Sequence, residues 1–230
     1  MSFVSKCDVC QRHNPLTHPI DNLTPIRSKK PLERLLIDYT YLPECNQYKY
    51  LLHGICHYTK FRFYLKTKTK DSNNVIFLLD MVLKQHGFIY SIHSDNGMEF
   101  CSQKTQDFAT KNNIKWILGR PYHPQSQGCV ERVNGTIKRM LSKEIFANST
   151  VWSDQIEDVV HKYNSRIHST TGFTPKYAFD SLIAPISQNL DKSLQLHGTI
   201  NKIAISNQIC QNQLLNAKKM MRKNSQKKLY

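Results

Sequence analysis

The chain has 230 residues, of which 40% are hydrophobic and 10% aromatic, and it contains only 8 glycines. This composition is typical of a globular protein with one good core, and it excludes collagen-like and linker-dominated sequences. The formal net charge of +15 indicates a polyanionic partner, either nucleic acid or an anionic membrane surface.

Membrane and secretion signals are missing from the sequence. No apolar run approaches the roughly 18 residues that a membrane span needs. The N-terminal segment MSFVSKCDVCQRHNP has no apolar stretch of the kind found in secretory signals. We therefore expect no membrane partner, no secretion, and cysteines that remain thiols.

The first residues contain a cysteine pair. Cys7 and Cys10 form a CxxC motif, which is half of a closed zinc site with its usual four ligands. The downstream His13 and His18 could complete it, although the short spacing and Pro15 favour an incomplete site instead.

Three strands follow. The run ERLLIDYTYLP is rich in apolar, β-branched and aromatic residues and is closed by Pro43, which predicts a strand that contains Asp38. YKYLLHGICHYT and FRFYLKTKT have a similar composition, and the polar link around Thr59 and Lys60 predicts a hairpin between them.

The pattern then alternates between helices and strands. A helix is predicted after Asp71, with apolar residues at helical spacing and a stop at Gly87. FIYSIHSDNG predicts a strand that ends at Asp95, before the turn dipeptide Asn96-Gly97. A helix from about Ser102 to Lys111, the strand IKWIL, a loop GRPYHPQSQG and a helix from about Cys129 to Phe146 come next, and WSDQIEDVVHKYNSR and TPKYAF add two more helices. This order predicts an α/β domain with a mixed sheet.

Charge divides the chain into three zones. Residues 1–32 carry five basic residues against two acidic ones, and residues 33–185 carry nineteen against fourteen. Residues 186–230 carry eight against one. We therefore predict a main folded domain over 33–185 and a basic tail over 186–230 that is helical or partly disordered.

Three acidic residues are candidates for catalysis. Asp38 interrupts an apolar strand, where an unpaired charge is costly. Asp95 ends a strand, and Glu131, which follows after 35 intervening residues, begins a helix. Three converging carboxylates suit Mg²⁺ or Mn²⁺. Two such ions about 3.5–4 Å apart could hold the attacking and leaving oxygens of a phosphoryl displacement. The alternatives are a buried ion pair for Asp38 and unrelated surface carboxylates.

The segments HSDNGMEF, RPYHPQSQGCVERVNGTIKRML and YNSRIHSTTGFTPKYAF occur in this order after Asp38. Together they resemble the integrases of Gypsy-class LTR retrotransposons and, more distantly, of retroviruses. The resemblance covers nearly all of residues 1–182. Gln127 and Cys129 depart from the family, which often has Asn or Asp at the first position and Gln at the second.

The resemblance implies a ribonuclease-H-like fold, with a mixed five-stranded sheet flanked by helices and a helical C-terminal extension. It implies that residues 33–185 form the integrase catalytic core, with a divalent-metal site at Asp38, Asp95 and Glu131. It also implies two reactions, the trimming of donor DNA ends and the attack of the 3′ hydroxyl on target DNA. Double-stranded DNA is the expected partner, a dimer or larger multimer the expected assembly, and the nucleus the expected location.

The zinc motif also has a family counterpart. In the resembled integrases, such a cysteine pair closes a His-His-Cys-Cys module whose histidines lie upstream. Residues 1–32 are therefore predicted to hold only a remnant of this module and a linker, and zinc binding at Cys7 and Cys10 is doubtful.

Further residues near Glu131 are candidates for DNA contact. Asn134 and Lys138 lie three and seven positions later, on the same helix face, where they could reach DNA phosphates. A solvated helix face is the alternative for Lys138. Arg132 is assigned to DNA contact as well.

The predicted loop before this helix supplies one more DNA-contact candidate. Pro124, Gln125 and Ser126 resemble the mobile loop beside such sites, and Gln125 is the residue of this loop that we assign to DNA. His93 and His123 are interpreted as structural or supporting residues rather than metal ligands.

Two other functions compete with an active enzyme. The chain could be a truncated or host-adopted remnant that binds DNA without catalysis, which the missing histidine pair would favour. It could also be a related metal nuclease of the same fold, which the ordered motifs disfavour.

Overall fold

The computed structural model describes residues 27–119, 124–148, 150–183 and 192–227. Within these ranges, the side chains of residues 124–133, 192–197 and 220–227 lie outside the description. No helix in the described part of the chain is long and apolar enough to cross a membrane.

A mixed five-stranded sheet forms the centre of the fold, as predicted. Its spatial order is β3-β2-β1-β4-β5. The first three strands are antiparallel neighbours, whereas β4 runs parallel to β1 and β5 parallel to β4. The strands are β1 (Leu35–Cys45), β2 (Tyr48–Cys56), β3 (Arg62–Thr67), β4 (Ser91–Ser94) and β5 (Lys115–Leu118).

Helices cover both faces of this sheet. They are α1 (Ser72–His86), α2 (Met98–Cys101), α3 (Gln103–Lys111), α4 (Pro124–Asn148), α5 (Trp152–Asn164), α6 (Pro175–Ile183) and α7 (Lys192–Lys227). Helix α1 has the predicted ends: the Asp71 side chain accepts a hydrogen bond from the Asn73 N–H at 2.8 Å, and Gly87 adopts a left-handed φ of 82°.

Alternation along the strands produces two hydrophobic cores. Leu35, Ile37 and Tyr39 face one core, which includes α1 and, from α7, the buried Ile205 and Ile209. The other face packs against α4 and α5, and its core consists mainly of Leu36, Leu51, Ile55, Ile137, Leu141, Trp152, Ile156 and Val159. Asp38 lies two residues after Leu36 on β1, so its side chain points to the same face, toward α4 and α5.

Two predicted boundaries were wrong. Strand β1 continues through Pro43 to Cys45. The pairing with β2 is irregular between Tyr41 and Cys45, so the N–H that Pro43 lacks is not needed for a regular inter-strand hydrogen bond. Helix α4 begins at Pro124 rather than near Cys129, so residues 124–126 are helical and not the predicted loop. Proline is well tolerated in the first turn of a helix, where its missing N–H is not needed.

Candidate active site

Parallel pairing of β1 and β4 brings Asp38 and Asp95 to the same end of the sheet. Leu35 is paired with Ile92 and Leu36 with His93. Extending this register by two residues places Asp38 opposite Asp95. The negative charge of Asp95 acts on Asp38 and contributes to a raised pKa, so the two carboxylates form one electrostatic site.

The Asp38 carboxylate is half-buried and is held by helix α4. Asn134 donates a hydrogen bond from Nδ2 to Asp38 Oδ2 at 2.7 Å. Burial raises the pKa of Asp38 to about 6, with Asp95 acting in the same direction and the Asn134 bond and Lys70 opposing it. A carboxylate in such surroundings is costly to ionise unless a cation compensates its charge.

The turn after β4 fixes the backbone around Asp95. The Gly97 N–H donates to Asp95 Oδ1 at 3.0 Å. Ser94 Oγ donates to the Asp95 carbonyl at 2.9 Å and accepts a bond from Trp116 Nε1 at 3.0 Å. This turn was predicted from the Asn96-Gly97 dipeptide, and it orders Asp95 at the end of the strand.

Helix α4 carries most of the other predicted site residues. Glu131 belongs to this helix, three positions before Asn134, a spacing that places two residues on one helix face. The side chains of Glu131, Gln125 and Arg132 lie outside the described part of the chain. Lys138 is exposed, which agrees with either a DNA contact or a solvated face.

A charged pair beside the carboxylates was not predicted. Lys70 Nζ lies 3.8 Å from Glu99 Oε1, and the positive charge of Lys70 lowers the pKa of Asp38. A Cβ atom at Gly97 would lie 2.9 Å from the Glu99 carboxylate, so glycine leaves room for this side chain. Lys70 follows a basic strand in the sequence, and sequence spacing alone does not reveal that it approaches Asp38.

Two histidines were predicted not to be ligands. His93 is buried at 7% exposure on β4, with no hydrogen bond to Nδ1 among the described residues. Burial, and then the charge of Arg34, lower the pKa of His93. His123 lies outside the described residues, as do Cys7, Cys10, His13 and His18, so zinc binding stays a prediction.

The oxygen donors of Asp38 and Asp95 fit a hard divalent cation. The surroundings of Asp38 agree, because burial and the charge of Asp95 raise its pKa and disfavour its ionised form in the absence of a cation. Among the described side chains, no group of three potential ligands was found; the third predicted ligand, Glu131, is not among them.

Comparison with protein families identifies this region. Residues 28–124 match the family model "Integrase core domain", and residues 112–175 match a second model of the same description. The chain contains an integrase core domain. The two matches together span both aspartates and Glu131.

Curated relatives of this integrase core domain are polyproteins. The chain is 33% identical over 176 residues to the Pro-Pol polyprotein of feline foamy virus, an alignment that covers 76% of this chain and 15% of the polyprotein. It is 29% identical over 224 residues to the Transposon Tf2-3 polyprotein of Schizosaccharomyces pombe, covering 90% of this chain and 17% of that polyprotein. The chain thus spans less than a fifth of each relative's length.

Solved structures share the fold of the integrase core domain. A simian T-cell lymphotropic virus intasome, in complex with a PP2A regulatory subunit, matches with a TM-score of 0.66 and 23% identity, covering 81% of this chain and 67% of that chain. The HTLV-2 integrase catalytic core domain, in complex with magnesium in a trimeric form, matches with a TM-score of 0.57 and 23% identity, covering 69% of this chain and 100% of that chain. The predicted ribonuclease-H-like fold is therefore confirmed.

Proposed function

We propose that this integrase core domain catalyses DNA integration as a polynucleotidyl transferase that depends on Mg²⁺ or Mn²⁺. The observation that carries the proposal is the placement of Asp38 on β1 and of Asp95 directly after its parallel neighbour β4, with Asn134 of the Glu131 helix bonded to Asp38. The substrates are the double-stranded DNA ends of a mobile element, which are trimmed and then joined to target DNA. The polyprotein relatives support an origin in a retrotransposon or a retrovirus, and the sequence motifs favour a retrotransposon of the Gypsy class.

Asp38, Asp95 and Glu131 would hold two divalent ions. When bound, such ions activate an attacking water or hydroxyl and neutralise charge on the leaving oxygen. The chain's own contribution is positional: Asn134 orients Asp38, and the turn at Gly97 orients Asp95. These hydrogen bonds fix the carboxylates before DNA arrives, which lowers the entropic cost of assembling the site.

Basic side chains beside the site would bind the DNA backbone. Lys138 is exposed on α4, and Arg132 and the polar Gln125 belong to the same helix, whereas the Asn134 amide is bonded to Asp38. Phosphate contacts of this type position DNA without reading its sequence and weaken as salt rises. We further propose that the protein acts as a dimer or larger multimer in the nucleus.

A strand-transfer assay tests the proposed activity. Wild type, Asp95→Asn and the control Asp158→Asn, which alters an exposed carboxylate on α5, are incubated with a branched disintegration substrate and with donor and target DNA in Mn²⁺. We expect products from wild type and Asp158→Asn, and a loss of at least about 100-fold in Asp95→Asn. Salt-sensitive DNA binding without products from any protein would contradict catalysis and favour the non-catalytic remnant.

A further inference from the structure

Polar atoms without partners are concentrated on the Asp38 face of the sheet. His53 is completely buried, and neither ring nitrogen makes a hydrogen bond of normal length in the described part of the chain. Asn134 Oδ1 is likewise buried without a donor. An unsatisfied buried polar group destabilises a fold, so this accumulation calls for a functional or structural reason.

Strand register places His53 beside Asp38. The two residues are direct partners across the antiparallel β1–β2 pair, and such partners have Cβ atoms about 4.5–5.5 Å apart on the same face. Asn134 reaches this face from α4 and donates to Asp38 at 2.7 Å. His53, Asn134 and Asp38 therefore lie together between the sheet and α4.

Arg62 completes the surroundings of His53. It is 1% exposed, and its guanidinium carbon lies 5.3 Å from the centroid of the Tyr163 ring. Asn164 holds the Arg62 backbone by accepting from its N–H and donating to its carbonyl, both at 3.0 Å. Burial, and then the charge of Arg62, hold the pKa of His53 well below its usual range, while the Leu51 backbone and the Asn134 side chain act in the opposite direction. In either protonation state the imidazole has at least one N–H to donate.

The orientation of the Asn134 amide depends on which group donates a hydrogen bond to its oxygen. A carboxamide can rotate by half a turn and exchange its NH₂ and oxygen, and only one orientation presents an N–H to Asp38. A donor at Oδ1 would select that orientation. His53 is a buried donor in need of an acceptor, and Asn134 Oδ1 is a buried acceptor in need of a donor.

We propose that His53 is a positioning residue for Asp38: its ring N–H donates to Asn134 Oδ1, directly or through one buried water, and so fixes the Asn134 amide against the Asp38 carboxylate. The predicted effect on cation affinity rests on the proposed function, because it assumes that Asp38 holds a metal ion. The effect on the Asn134 amide does not depend on that assumption.

The first test is metal-free. In EDTA, the ¹⁵N side-chain amide resonance of Asn134 is compared among wild type, His53→Leu, His53→Gln and Thr67→Val. Thr67 is a matched control, because it is also buried with an unpartnered hydroxyl but faces away from Asp38. We expect a moved or broadened Asn134 resonance in His53→Leu, a signal close to wild type in His53→Gln, and no change in Thr67→Val. An unchanged Asn134 resonance in His53→Leu would overturn the proposal.

A reciprocal measurement does not need His53→Leu to fold. The ring N–H resonance of His53 is followed in wild type and Asn134→Ala. We expect Asn134→Ala to move it or to remove it by faster exchange with water. A His53 resonance that is the same in both proteins would overturn the proposal.

The second test is a double-mutant cycle on Mn²⁺ affinity. Residues that orient a metal ligand typically contribute 10- to 100-fold to affinity, so His53→Leu should weaken Mn²⁺ binding roughly tenfold. The same change in an Asn134→Ala background should have almost no effect, since His53 acts through Asn134. Equal weakening in both backgrounds would overturn the proposal. If wild type itself binds no Mn²⁺, the proposed function fails, and the resonance measurements still decide the role of His53.

Discussion

Replacing Asp38 by asparagine should stabilise the metal-free protein at neutral pH. Burial, reinforced by the charge of Asp95, raises the pKa of Asp38 from 3.8 to about 6, so the ionised form is less favourable in the folded than in the unfolded chain. At ~1.4 kcal/mol for each pH unit, this difference corresponds to about 3 kcal/mol. Because Asp38 is half-buried, solvent screening lowers the expected gain to about 1–3 kcal/mol. The introduced asparagine keeps a side-chain oxygen that can accept the Asn134 hydrogen bond.

The pH dependence fixes the sign of this effect. Well below pH 3.8 the Asp38 carboxyl is protonated in both states, so wild type and Asp38→Asn differ little. As the pH rises from 3.8 to about 6, the unfolded chain ionises first and wild type loses stability relative to the variant. The full difference is then present above about pH 6.

Urea unfolding in EDTA, at about pH 4 and about pH 7.5, measures the difference. Asp158→Asn removes an exposed carboxylate on α5 and should change the free energy of unfolding by about 0.5 kcal/mol or less at either pH. The reasoning is refuted if Asp38→Asn is no more stable than wild type at the higher pH. A gain of the same size at both pH values would refute it as well, since the gain would then have no connection with ionisation.

Three further predictions concern the frame around the site, and each is checked by chemical denaturation. Ile209→Ala removes a buried side chain where α7 meets the core that contains α1 and should lower the free energy of unfolding by about 2–5 kcal/mol. The control Ile203→Ala, at a 54% exposed position, should lower it by about 0.5 kcal/mol or less. Equal losses would show that α7 does not pack as described. Gly87→Ala places a side chain at φ 82° and should cost about 1 kcal/mol, so a neutral result would argue against the left-handed cap. Trp152→Phe removes the donor to the Pro43 carbonyl at 2.6 Å and should cost about 1–3 kcal/mol; a loss confined to the Trp fluorescence, with unchanged stability, would contradict that bond.

Local sequence context was sufficient to find the two aspartates. Asp38 stands out because it is a charged residue within the apolar run LLIDYTYL. Asp95 stands out because it lies between a run of typical strand residues and the turn dipeptide Asn96-Gly97. Their proximity is a property of the parallel β1–β4 pairing, which joins segments far apart in the chain and leaves no local pattern. The resemblance to a family supplied that link before the structure did.

The polar surroundings of Asp38 could not be predicted in the same way. His53 and Arg62 lie in runs with ordinary strand composition, and only the register shows that they share a face with Asp38. His53 lies between Leu51 and Ile55 at two-residue spacing, so the strand pattern places a polar side chain on a buried face. This was the one indication in the sequence that His53 has an unusual environment. The start of α4 was missed because Pro124 within a Gln- and Gly-containing segment also suits a loop.

Manganese binding at the carboxylates tests the central claim most directly. Crystals of the wild-type chain soaked in Mn²⁺ would be measured at a wavelength where manganese scatters anomalously, beside crystals of Asp95→Asn. The account predicts an anomalous peak coordinated by Asp38 and Asp95 in wild type, with Glu131 as a further ligand, and a lost or weakened peak in the variant. An empty site in wild type at saturating Mn²⁺, or a peak that the Asp95 substitution leaves unchanged, would contradict it.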